Sequence, residues 1–202
     1  MKTSFFKTMA LAFALGALGA AEAMAQGEPV IESILTRTSV RKFTAQPVEQ
    51  SKVETLLKAA MAAPTAVNRQ PWHFVVVSDK DIKDRLADAS RKGALMKNAP
   101  LAIVVCGDLS KAMDGVGREF WIQDTSAATE NLLLAAHAMG LGAVWTSAWP
   151  DEKRCNAMSE VLGLPSHVKP LCTVVIGYPD EQPRPKDKWK PENVSYNQFG
   201  RR

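Results

Sequence analysis

RTSVRKF (Arg37–Phe43) and APTAVNRQPWHFVVV (Ala63–Val77), separated by one amphipathic helix, decide how this chain folds and what it can hold. In the first segment Arg37, Thr38, Ser39 and Arg41 bring two guanidinium forks and two hydroxyls together within five residues. That set suits bidentate, charge-assisted bonding to a phosphate. In the second, Asn68-Arg69-Gln70-Pro71-Trp72 places amide donors and acceptors beside an aromatic ring at the start of an apolar run. Each segment also has a plainer reading. Arg37 and Arg41 can neutralise the C-terminal dipole of a helix carrying Val30, Ile31, Ile34 and Leu35. Pro71 can simply end one element and Trp72 open a buried strand. The joint occurrence of the two segments favours the phosphate and amide set over both plain readings.

Outward from these segments the pattern alternates helix and strand with short connections. A first helix is expected near Pro29–Arg37, and a second over Val48–Ala63, where Val53, Leu56, Leu57, Ala60 and Met61 recur at helical spacing until Pro64. Strand Trp72–Ser78, a polar helix near Lys80–Lys92 and strand Leu101–Cys106 follow. Arg118–Met139 is small and apolar on most sides, which predicts a central helix buried on all faces. Gly140 and Gly142 close it and lead to strand Ala143–Thr146. Asp151 can cap a helix bearing Cys155, Met158, Val161 and Leu162, and strand Leu171–Gly177 follows Pro170. This order predicts one α/β or α+β domain, a small sheet with helices on both faces, and no internal repeat.

Both ends differ from that body. Lys2 and Lys7 precede the apolar run Met9–Ala21, and Ala23-Met24-Ala25 is a small-x-small cleavage site, so residues 1–25 read as a secretory signal peptide and the protein as exported, periplasmic and soluble. The run is too short for a stable membrane span. Without residues 1–25 the chain has 177 residues, and loss of Lys2, Lys7 and Glu22 takes the formal charge from +4 to +3. That balance, with acids interspersed among the cations, gives no basic stripe for nucleic acid. From Pro179 onward Pro179, Pro183, Pro185 and Pro191 forbid regular helix, so residues 180–202 are expected to run as an extended arm carrying Trp189, Tyr196 and Phe199. Such an arm gains most by lying along a surface, although a disordered tail is the competing expectation.

Cys106, Cys155 and Cys172 sit in apolar segments and behave as small hydrophobes, with a Cys106–Cys172 bridge open if their strands are neighbours in an oxidising compartment. His73, His137 and His167 are too dispersed for a zinc pattern, and no metal is expected.

In the two opening segments the chain resembles the FMN-dependent nitroreductase family, whose R-x-S-x-R-x-F start and P-S-x-x-N-x-Q-P-W segment match in order. Gly140-Leu141-Gly142-Ala143-Val144-Trp145 matches the family's G-L-G-x-x-W, and Gly177–Trp189 is similar to its G-x-P-x-x-x-P-R-P-K ending. The resemblance implies an α+β three-layer fold, with a small mixed sheet flanked by helices in a domain spanning 26–202. It implies FMN held by Arg37, Thr38, Ser39, Arg41, Pro64, Thr65, Ala66, Asn68, Gln70, Trp145, Thr146, Ser147, Lys186 and Lys188, with Arg184 a weaker candidate. It further implies NAD(P)H as electron donor, a nitroaromatic or quinone as acceptor, and an intertwined homodimer. The flavin carries the chemistry, so no catalytic side chain is assigned. Three departures stand out. Thr65 replaces serine; Glu130 replaces a usual glutamine inside the central helix, where a buried carboxylate needs a partner or a proton; and export separates the protein from cytoplasmic NAD(P)H. An exported flavin-binding or electron-carrier protein is therefore the alternative, and a cofactor-free structural protein a third.

Overall fold

The computed structural model describes residues 29–90 and 93–201. The expected signal peptide lies outside the described residues. Helix α1 covers residues 29–36. It is followed by α2 (Gln50–Met61), a 3₁₀ turn (Ala66–Asn68), β1 (Trp72–Val77), α3 (Lys80–Asp88), α4 (Gly93–Lys97) and β2 (Leu101–Asp108). Then come α5 (Phe120–Ala138), β3 (Gly142–Ser147), α6 (Glu152–Leu162) and β4 (Val168–Gly177). The sheet has four strands in the order β1-β2-β4-β3, each ladder antiparallel. A parallel bridge from Ser39 to Ala143 adds mixed pairing at the β3 edge.

The period of two along β2 sorts side chains onto two cores. Leu101, Ile103 and Val105 meet Val53, Leu56 and Ala60 of α2 and Trp121, Ala128 and Leu132 of α5. Ala102, Val104 and Cys106 meet Leu86, Met96, Cys155 and Met158 on the other face. The result is three layers, α2 and α5 over the sheet and α3, α4 and α6 beneath it. Ile103, Leu132 and Met158 are among the side chains fully removed from water, each contributing about 1.5–3 kcal/mol of transfer free energy. Asp79 and Asp151 cap α3 and α6, accepting from Ile82 N at 2.9 Å and Arg154 N at 3.1 Å.

Four expectations change. First, α5 buries one stripe, Trp121, Asp124, Thr125, Ala128, Thr129, Leu132, Leu133 and Ala136, not its whole circumference. Its alanines make the opposite face look apolar in composition, but Gln123 is exposed there, Glu130 stands half exposed beside Arg37, and His137 bonds Thr36. Second, the polar helix near Lys80–Lys92 ends at Asp88, and a short helix, α4, follows. Third, β4 begins before Pro170. Proline fits because the register shifts between Val105 and Cys106, opposite Pro170, where the ladder tolerates a missing N–H. Fourth, Cys106 and Cys172 do lie on neighbouring strands, but their side chains enter opposite cores and both are free, so the bridge is ruled out. Burial pushes both thiols up to about 12.

The arm beyond Asp180 is extended only in part. Pro191–Asn193 forms a 3₁₀ turn, and Tyr196 N donates to Arg201 O at 2.7 Å, closing the end into a loop. No described helix is long and apolar enough to cross a membrane.

Candidate functional site

The RTSVRKF segment is stitched between the start of β3 and the start of the arm. Val40 N donates to Ala143 O at 3.0 Å, and Thr44 N donates to Tyr178 O at 2.9 Å. Asp180 N donates to Lys42 O at 2.9 Å, and the Glu181 carboxylate accepts from Arg41 N and Lys42 N. Such close approach demands glycine at 142, because a Cβ there would stand 2.6 Å from the Val40 side chain. Held this way, Arg37, Thr38, Ser39 and Arg41 face Arg184, Lys186 and Lys188 across a cleft of about 510 Å³. Five cations drawn from residues 37–41 and 184–188 thus line one cavity. A phosphate dianion meets donors of the right kind there. The Arg37 Nε lies 3.3 Å from Glu130 Oε1, so the unusual acid of α5 is an exposed partner of the clamp and not a buried charge. Beside the cleft a second hollow of about 370 Å³ has an apolar floor of Val40, Leu133, Leu141 and Ala143. His137 Nε2 and Thr36 Oγ1 sit 2.9 Å apart on its wall.

Pro64, Thr65, Ala66, Asn68 and Gln70 form a separate unit. Val67, Asn68 and Gln70 adopt φ of 43°, 57° and 51°, left-handed values that are strained for a β-branched valine. A local net holds them. Gln70 N donates to Thr65 Oγ1 at 3.1 Å, Gln70 Nε2 to Asn68 Oδ1 at 2.9 Å, and Ala66 N to Asp124 Oδ1 of α5 at 2.9 Å. Gln70 also lines a hollow of about 430 Å³ with Arg69, Trp72, His73, Phe74 and Lys111. The loop is pinned at its far end, where Asp108 N donates to Pro71 O at 2.8 Å. Burial pushes the Asp108 carboxyl up, but hydrogen bonds from Ser110 and Lys111 outweigh it and hold the group below the ordinary range.

The clamp and the loop do not meet in one chain. The loop precedes the N-terminal end of β1, whereas the clamp joins the N-terminal end of β3, and these strands are the opposite edges of the sheet running in opposite directions. Strand spacing and rise put the two corners on the order of 25 Å apart. The clamp cleft includes none of residues 64–70, and the Gln70 hollow includes no clamp residue. Trp145, Thr146 and Ser147 line neither cavity; they continue β3 from Ala143 along the outer edge of the sheet, with Thr146 Oγ1 donating to Thr173 O at 3.0 Å. Sequence reasoning missed Glu181 and Asp124. Asp124 alone left a trace, as an acid one heptad before Asn131 on the face toward α2, where Asn131 Nδ2 donates to Ala59 O at 3.1 Å.

Residues 34–96 and 91–178 match the Nitroreductase family. A Methanothermobacter thermautotrophicus protein provisionally named NADH dehydrogenase/NAD(P)H nitroreductase is 40% identical over 166 residues, 82% of this chain and 85% of its own. The NADPH-flavin oxidoreductase of Vibrio harveyi is 30% identical over 167 residues, covering 78% of this chain and 69% of the relative. Among solved structures, an FMN-dependent nitroreductase of Clostridium difficile superposes with a TM-score of 0.76 at 33% identity, covering 84% of this chain and 99% of that one. With motifs, sheet order and clamp in agreement, this chain belongs to the nitroreductase family.

Proposed function

We propose that this protein passes electrons from NAD(P)H through FMN to a nitroaromatic, a quinone or a similar small acceptor. It is an FMN-dependent NAD(P)H oxidoreductase, as its kinship with NAD(P)H nitroreductases and flavin oxidoreductases supports. The observation that carries the assignment to residues is the cleft in which Arg37 and Arg41 face Arg184, Lys186 and Lys188, a donor set that fits the FMN phosphate. When bound, FMN supplies the redox chemistry. Thr38 and Ser39 add hydroxyl donors to the clamp. Trp145–Ser147, leading away from it along β3, would supply backbone groups to the ring system. The cations of the clamp would also favour negative charge on a flavin bound beside them.

The separation of clamp and loop supports a homodimer in which the Pro64–Gln70 loop of a second copy completes the site. The same assembly covers apolar groups left open in one chain: Ile31 of α1 is 56% exposed, Trp189 72% and Phe199 104%. The residues at 1–25 support export, and N-terminal sequencing that found Gln26 first would accord with it.

An absorption spectrum with anaerobic titration tests the function. The expected result is a yellow protein bleached by NADH or NADPH and restored by a nitroaromatic or quinone. A yellow protein that neither nicotinamide bleaches would favour the electron-carrier alternative, whose support is the export signature. A protein colourless after FMN addition would overturn both.

A further inference from the structure

We propose that Asp124 is a positioning residue for the cofactor loop, touching no cofactor itself but setting the backbone of residues 65–70 from α5. The inference rests on the flavin assignment above. Asp124 is 6% exposed in the middle of an otherwise apolar and hydroxyl-bearing stripe. A carboxyl group is expensive in such a place without a strong bond. Its Oδ1 takes the N–H of Ala66, the first residue of the 3₁₀ turn, at 2.9 Å.

That bond is the tie from α5 to a segment whose other bonds are internal. Asn68 N donates to Thr65 O and Arg69 N to Ala66 O, both at 3.1 Å, while Thr65 Oγ1 accepts from Gln70 N. A net closed on itself can hold the left-handed φ values of Val67, Asn68 and Gln70 but does not fix where the turn points; Asp108 N holds the far end at Pro71 O, and the near end needs its own reference. Asp124 supplies that reference. Seven residues on, Asn131 holds the end of α2 by Ala59 O, so one face of α5 grips the chain before and at the loop. The neighbouring face carries Glu130, paired with Arg37. A single helix therefore aligns the amide loop of one half-site and braces the cation clamp of another.

Two substitutions approach the bond from opposite sides. Asp124→Ala removes the acceptor. Ala66→Pro removes the donor, and Thr65, at φ −137° and ψ 157°, already has the extended backbone that a following proline requires. Proline is also favoured at the first position of a helical turn. Each variant is expected to raise the Kd for FMN about tenfold, the worth of one lost hydrogen bond to a charged group. Riboflavin, which lacks the phosphate, should weaken by the same factor, and the visible band of the bound flavin should shift. The double variant should be no worse than either single one. Asp124→Asn, which keeps an acceptor oxygen, should restore affinity and band.

Hydrogen exchange of the Ala66 amide in the flavin-free protein should quicken in Asp124→Ala and return in Asp124→Asn. Additive effects in the double variant would overturn the proposal, as would a loss confined to FMN or a slow Ala66 amide in Asp124→Ala. Wild-type protein that bound neither FMN nor riboflavin would overturn the flavin assignment and this role with it. Wild-type binding beside an unaffected Asp124→Ala would overturn the role alone.

Discussion

The clamp and the loop, the two regions proposed to hold one cofactor, are built by opposite means. The clamp is made of long cationic side chains, mostly exposed, on two distant segments, 37–41 and 184–188, that meet only because the arm is tied back at Asp180 and Glu181. Its strength is electrostatic, and a phosphate seated there would organise it. The loop is a run of six residues whose backbone is set in advance by an internal hydrogen-bond net and three left-handed φ angles. Its contribution is geometry already in place before any ligand arrives. Charge tolerates displacement and geometry does not, so the two regions should fail in different ways.

The largest break is expected from Arg37→Ala combined with Arg41→Ala. Each lost charge-assisted bond costs about 1.5–3 kcal/mol, so FMN binding should weaken by ~3 kcal/mol or more while riboflavin binding barely changes. Calorimetry with both ligands checks this, and equal losses for the two would remove the phosphate from the clamp. A salt titration sharpens the same contrast. FMN affinity should fall roughly tenfold between low and high ionic strength, and riboflavin affinity should stay level, because screening acts on exposed charges.

Next in size is Val67→Gly. Relief of a valine held at φ 43° is worth about 1–2 kcal/mol, part of it offset by the entropy of glycine in the unfolded chain. The flavin-free protein should melt no lower than wild type, and riboflavin should bind less tightly because the turn relaxes. A clear loss of thermal stability would show that the loop is not strained.

A pH series probes Asp108, whose backbone N–H anchors the loop at Pro71 O and whose carboxylate, bound by Ser110 and Lys111, braces the turn after β2. Its folded pKa lies below the ordinary value of 3.8, so its contribution to stability is fully present above that value and is lost as pH falls through the folded pKa. Asp108→Asn should therefore narrow the stability difference from wild type only in strong acid, at the loop end of the sheet. The smallest effect concerns the thiols. With Cys106, Cys155 and Cys172 free and buried, a thiol reagent should find nothing to modify in native protein and three groups after unfolding.

Much of this was legible in the residues. Arg37, Ser39 and Arg41 marked by type and spacing a segment that does line a cationic cleft, and the helices ended near where Pro64 and Gly140 said they would, because these signals are local. What stayed hidden depends on distance. Glu130 read as buried because its neighbours are alanines and leucines, yet which side of a small-residue helix meets the core is set by α2 and the sheet. Asp124 left no more than its heptad spacing to Asn131, because its partner is a backbone N–H fifty-eight positions earlier, and an amide leaves no mark in a sequence. A Cys106–Cys172 bridge stayed open in the sequence because the face each cysteine meets is set by the pleat, which sends them to opposite cores.

The bridge from Ser39 to Ala143 has a consequence beyond cofactor binding. An outermost strand exposes unused hydrogen-bonding groups that can recruit another polypeptide, and β3 is such a strand. By lying on its first residues, with Val40 N on Ala143 O and Val40 packed over Gly142, the arginine segment caps that rim. The stretch proposed to gather the anion thus also covers the first residues of an open edge, and a change that lifted it from the rim would expose backbone groups there as well as loosen the clamp.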